Sequence, residues 1–199
     1  MSDKDRAEEN LAIIRSMMER ATVYRMISGP TALFGGVLTL LVVFLFPWAE
    51  FEAPRDWKWV WFGVAILVLV MNTVLVILKS TREKTTLFSP GLKMGLKAIV
   101  PALLIGFVIG IIQNDLSSEE LAWIWMLCYG SALCATSSFA PRSMWWLGIF
   151  FIVTGLYFFR DIPSGGYSIV RANMMMSQTF GGYHLVYGFY VLLVEKKRS

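Results

Sequence analysis

Charge is what this chain has least of, and its distribution matters more than its amount. Only 16% of the 199 residues are Asp, Glu, Lys or Arg, against 56% hydrophobic, and the mean hydropathy is +0.59. Such a balance is wrong for a soluble domain of this length. Histidine occurs once and cysteine twice, so no set of metal ligands can be assembled at the usual spacings. Cys128 and Cys134 are about 9 Å apart along one helix. They cannot pair there, since bridged cysteines need Cα atoms within about 7 Å, and they read as small packing residues. Zinc-protease, nucleophile-elbow and phosphate-loop motifs are absent, as are paired carboxylates inside apolar segments. The expectation is a protein that is not an enzyme and needs no cofactor or metal.

What is present is a series of long apolar runs. Ile27–Trp48, Trp59–Leu78, Gly95–Ile112, Leu121–Ala140 and Met144–Phe159 carry no charged side chain except Lys97. Met174–Val194 nearly matches them, although its strongly apolar part is Phe180–Val194 and its start holds Ser177-Gln178-Thr179. A bilayer core is crossed by about 20 apolar residues in a helix. The fold class expected is therefore all-α: a polytopic membrane protein with a bundle of six transmembrane helices. The polar start of the last segment suggests a partly unwound or tilted entry, and Pro101 is expected to bend the third.

Basic residues orient the bundle. The arm before Ile27, the connection from Lys79 to Lys97, Arg142 and the tail Lys196-Lys197-Arg198 hold fourteen of the eighteen Lys and Arg. Arg55, Lys58, Arg160 and Arg171 fall on the other face, while the acids divide evenly. Basic loops stay in the cytoplasm, so both termini are expected there, as an even number of spans requires. The basic face also suits anionic headgroups. Basic residues interspersed with acids, without a recognition motif, exclude nucleic acid as a partner. Trp48, Trp57, Trp59, Trp61, Trp123 and Trp125 gather at the outer boundary and Trp145 and Trp146 at the inner one, where indoles anchor helices in the headgroup layer.

Three regions follow: a cytoplasmic amphipathic arm over 1–26, a transmembrane domain over 27–194 and a basic tail over 195–199. The arm is charged rather than built like a cleavable signal. Leu11, Ile14, Met17, Met18, Ala21 and Tyr24 recur at three- and four-residue steps, which predicts a helix from about Asp5 to Arg25 with one apolar face. It would lie on the membrane or the bundle, or dock a protein partner. Lys79–Lys93 and Arg160–Asn173 have loop compositions, the latter with Pro163-Ser164-Gly165-Gly166-Tyr167. No inverted repeat of the transporter kind is visible.

Within the apolar segments, small residues recur at packing intervals: Gly106 with Gly110, Gly130 with Cys134, Ala132 with Thr136, and Gly181 with Gly188. Helices in lipid associate through such close approaches. His184 shares a helix face with Gly181 and Gly188 and so points at a neighbouring helix. It is either a titrating or ligand-binding group or a neutral imidazole hydrogen-bonded across an interface, to Asn72, Thr73 or Thr154. Asn72, near the centre of the second segment, reads as interhelical glue. A Ser131–His184 dyad is allowed by depth, but close packing explains Ser131 better.

Ile14-Arg15-Ser16-Met17-Met18-Glu19-Arg20, Ile27-Ser28-Gly29 and Gly35-Gly36 resemble the start of a group of uncharacterised bacterial integral membrane proteins. Tyr129-Gly130-Ser131-Ala132-Leu133 resembles that group's Tyr-Gly-x-Ala-Leu element. Gly182-Tyr183-His184-Leu185-Val186-Tyr187-Gly188 is similar to its ending. The resemblance implies a six-helix protein of the bacterial inner membrane, directs attention to His184 and Tyr187, and carries no activity.

The reading as a whole is a non-catalytic inner-membrane protein that binds lipid or a protein partner, with homo-oligomerisation open. The alternative is a small channel or transporter for an ion or small solute, with His184 and Asn72 near its path.

Overall fold

The computed structural model describes residues 5–6, 8–11, 29–46, 48, 54–83, 90–137, 140–161 and 168–196. All regular structure among them is helical. The α-helices are α1 (Gly29–Leu45), α2 (Pro54–Glu83), α3 (Pro90–Ile112), α4 (Ser118–Thr136), α5 (Arg142–Arg160), α6 (Ile169–Met176) and α7 (His184–Lys196). A π-helical turn, Ser177–Tyr183, joins α6 to α7.

Proline marks several of the starts. Pro30, Pro54 and Pro90 fall in the first turns of α1, α2 and α3, and Pro141 immediately precedes α5. The fixed proline φ suits a helix entry, and the missing N–H would have no intrahelical partner there. Helix α4 begins differently, with a reciprocal cap. Ser117 Oγ accepts from the Glu120 backbone N–H at 3.2 Å, and Glu120 Oε2 accepts from the Ser117 N–H at 2.8 Å. Glu119 and Glu120 also place negative charge at the positive end of that helix. Helix α3 continues through Pro101 to Ile112 without a break.

Three helical segments are long and apolar enough to cross a membrane: Asp56–Arg82, Lys93–Ile112 and Arg142–Arg160. Gly29–Leu45 is apolar but shorter, at 17 residues. Helix α4 reaches 19 residues, yet its acidic first turn and two tryptophans dilute its hydropathy. The last rod is interrupted by the π turn, whose Ser177-Gln178-Thr179 is the polar start noted in the sequence.

Glycines set which helices pair closely. A methyl group at Gly130 of α4 would lie 2.7 Å from the Gly148 carbonyl oxygen of α5, and one at Gly148 would lie 2.8 Å from the Gly130 oxygen. Helix α1 meets the last rod in the same way. Gly29 and Gly188 each face the other's carbonyl oxygen, and a methyl at Gly36 would come within 2.9 Å of the Gly181 oxygen. Helix α3 leans on α4 where Gly106 meets Cys128 and Gly110 meets Trp125. The core between these pairs holds Leu121, Met126, Leu133, Leu147, Phe151, Met175, Met176 and Tyr187. Both cysteines are free thiols.

Two tryptophan assignments need correction. Trp57 and Trp61 are 0% and 3% exposed, so they are core residues rather than anchors in a headgroup layer. Trp57 stacks on Trp125 and Trp61 on Trp48, forming an aromatic plug where the ends of α1 and α3 meet the starts of α2 and α4. Trp59, Trp145 and Trp146 do face outward. Residues 5–6 and 8–11 of the arm are helical and exposed. The rest of the expected arm helix, the Pro163–Tyr167 turn and the tail after Lys196 lie outside the described residues.

Candidate functional site

The π turn decides where His184 points. Widening one turn to an i→i+5 pattern offsets everything after it relative to α6, and such insertions gather at functional positions. Here the offset turns His184 toward α4, where Nε2 lies 2.7 Å from the Tyr129 hydroxyl oxygen. The close approach of α4 and α5 at Gly130 brings the adjacent Tyr129 beside Phe151, with ring centroids 4.9 Å apart.

The imidazole is enclosed by rings. Phe151 meets it edge-on at 5.6 Å, Phe180 stacks at 6.1 Å, and Tyr129 is tilted at 5.4 Å. Phe151 is completely buried and also contacts Tyr183. The Tyr183 hydroxyl is hydrogen-bonded to Thr154 at 2.8 Å. Thr179 is fully buried, and its hydroxyl donates to the Met175 carbonyl at 2.8 Å. Tyr187, one turn beyond His184, is buried.

Nδ1 of His184 is buried with no hydrogen-bond partner among the described residues, and the imidazole tautomer sets which group donates in the Tyr129–His184 bond. The arrangement is a hydrogen-bonded Tyr–His pair inside an apolar ring cluster. Nothing in it supplies a carboxylate, and among the described residues no group of His, Cys, Asp and Glu could hold a metal ion.

Several sequence-selected residues sit elsewhere. Asn72 is half-buried on α2, with no hydrogen-bond partner among the described residues. Thr73 bonds its own helix at the Leu69 carbonyl, 2.8 Å away. Of the three partners expected for His184, then, none is used directly, and Thr154 reaches the cluster only through Tyr183. Ser131 is exposed on α4 while His184 is engaged two residues earlier, at Tyr129. Gly106, Gly110, Gly130, Gly181 and Gly188 all lie at close helix contacts, with Gly181 against Leu40 and Gly188 against Leu33.

A second polar cluster forms at the other end of the core, and the sequence reading did not single it out. Lys58 is 1% exposed, and its ammonium donates to the Gln113 carbonyl at 3.2 Å and to Asn114 Oδ1 at 3.0 Å. Glu119, also buried, accepts from the Ser168 N–H at 2.7 Å and faces Arg171 Nε at 3.4 Å. Arg171 in turn binds Asp161 at 2.6 Å. Trp57 Nε1 donates to Asn173 Oδ1 at 2.8 Å. These bonds tie the starts of α2, α4 and α6 together, a structural clamp whose signal in sequence was only a set of loop charges. No protein-family model, curated protein or solved structure matches this chain.

Proposed function

We propose that this chain is a non-catalytic integral membrane protein of the bacterial inner membrane, built as a six-span bundle, that works by binding lipid or a protein partner. Both termini face the cytoplasm in this reading, on the basic-residue asymmetry of the loops. The observation that carries it is the surface of α2 and α3. Only 11% of the most apolar window of either helix is buried, and side chains such as Leu69, Leu78, Leu104 and Ile105 are more than half exposed. Apolar area on that scale is unfavourable in water and ordinary in lipid, and it leaves whole helix faces free for a partner.

The state of His184 supports binding over transport. A conduction path needs a wetted lining, whereas His184 is packed among Tyr129, Phe151 and Phe180, and Asn72 lies on a helix that does not pack against α7. The test is flux through purified protein in proteoliposomes, with wild type and His184→Ala side by side. Background-level ion and solute flux in both agrees with the reading. Robust flux that His184→Ala abolishes would replace it with a channel or transporter.

A further inference from the structure

The rod formed by α6, the π turn and α7 carries an outward face that a continuous α-helix could not keep. Val170, Met174, Gln178, Gly182 and Val186 follow one another in steps of four. In an α-helix each such step overshoots a full turn by about 40°, so four steps would carry Val186 about 160° round from Val170. The π turn over Ser177–Tyr183 winds more slowly and takes up that drift. Val170, Met174 and Val186 are each more than half exposed, as is Phe189 beyond them, and Gln178 is exposed between them. The other faces of the rod are occupied. Gly181 and Gly188 meet Leu40 and Leu33 of α1, and His184 meets Tyr129 of α4.

Two residues of the outward face are poorly suited to lipid alone. Gln178 lies about 10 Å along the rod from Arg171, at the rise of a helix. Arg171 belongs to the charged end of the bundle, where it faces Glu119 and binds Asp161. A glutamine that far below the charges faces hydrocarbon, and its side chain is too short to regain them. Its amide makes no hydrogen bond among the described residues, whereas the neighbouring Ser177 turns its hydroxyl back to the Met174 carbonyl at 2.8 Å. An amide left open in hydrocarbon is costly, because acyl chains neither donate nor accept. Gly182, one turn further on, is open in another sense. A methyl group there would meet only the Ser177 carbonyl oxygen of its own rod, 3.7 Å away, so a second helix has room to approach the backbone.

We infer that this face is the surface through which two copies of the chain pair in the membrane, with Gln178 and Gly182 at the crossing. The amide selects the partner. It carries both a donor and an acceptor, so a two-fold axis beside Gln178 sets the N–H of each copy against the C=O of the other and satisfies both. An axis along the bilayer normal also keeps the basic loops of both copies on one side. The pairing rests on the membrane reading above and names its protein partner, so the experiment separates the two.

Membranes are first washed with alkaline carbonate, and release of the chain would defeat the membrane reading itself. Protein retained through the wash is labelled through a terminal tag and reconstituted at high dilution in vesicles of phosphatidylethanolamine and phosphatidylglycerol. Subunits are then counted by stepwise photobleaching over a range of protein densities. Wild type should populate dimers. Gln178→Leu and Gly182→Leu should each weaken pairing at least tenfold, while Gly63→Leu, on α2 and likewise in open space, should leave it unchanged. In unpurified membranes, Gly182→Cys should give a disulfide-linked dimer on mild oxidation and Gly63→Cys should not. Wild type found only as monomers, or full pairing in either Gln178→Leu or Gly182→Leu, would overturn the interface. So would equal crosslinking at the two cysteine positions, or a Gly182→Cys crosslink to a different protein alone.

Discussion

Tyr129 and His184 show how one hydrogen bond can organise a helix contact. The Tyr129 hydroxyl is held 2.7 Å from Nε2 with rings on three sides, so removing it strands a polar imidazole nitrogen in an apolar setting. Tyr129→Phe is expected to cost about 1–3 kcal/mol, because the partner left behind keeps its full desolvation penalty. Thermal unfolding in detergent checks this. A Tm unchanged from wild type would mean the bond contributes nothing. The glycines give a sharper contrast. Gly130→Ala forces a methyl against the Gly148 carbonyl at 2.7 Å, whereas a methyl at Gly63 meets nothing. Overpacking costs about 1–3 kcal/mol, while replacing an open helical glycine by alanine gains about 0.5–1 kcal/mol. The two variants should therefore move Tm in opposite directions, and a shared direction would contradict the packing described.

At the scale of elements, α4 is the hub, with α5 along one side, α3 on another and the rod of α6, the π turn and α7 reached through Tyr129 and Glu119. Its entry is fixed by the Ser117–Glu120 capping box. Ser117→Ala should lose about 1 kcal/mol, and Ser117→Asp should recover most of it, since aspartate caps as well as serine. Denaturant or thermal midpoints of the pair decide the matter; equal loss in both variants would argue against the cap.

Helix positions were legible because an apolar run without charge has few other uses. Helices α1 to α7 each overlap one such run, but the stretches read as loops are partly helical: α2 runs on to Glu83, α3 begins at Pro90 and α6 at Ile169. The π turn was only half legible. Ser177-Gln178-Thr179 and Gly181-Gly182 signalled an irregular start, but hydropathy does not distinguish an i→i+4 from an i→i+5 pattern. The partner of His184 was hidden for another reason. Residues 55 positions apart meet only through packing, and Asn72, Thr73 and Thr154 were equally polar candidates. Trp57 and Trp61 were misread because an indole at a helix end looks the same in sequence whether it faces lipid or, as here, the turn closed by Trp48.

Over the whole molecule, two kinds of surface separate. The paired helices α4 with α5 and α1 with the last rod are locked backbone to backbone by glycine, with a polar clamp of Lys58, Glu119, Arg171 and Asn173 at one end. Helices α2 and α3 leave most of their apolar length uncovered. In the membrane reading proposed above, those uncovered faces are the ones that meet lipid or a partner. It follows that α2 and α3 should exchange with their surroundings while the body does not. Crosslinking from Leu69→Cys or Leu104→Cys to added lipid-soluble reagents should be fast, and from Leu121→Cys or Met126→Cys slow. Comparable rates would remove the distinction.

The central claim is that the chain crosses the bilayer six times with its basic loops on the cytoplasmic side. Periplasm-active reporters fused after Lys84, Asp115, Asp161 and Lys197 test it in one experiment. The account predicts activity after Asp115 and Asp161 and silence after Lys84 and Lys197. An active reporter after Lys197, or a silent one after Asp115, would contradict it.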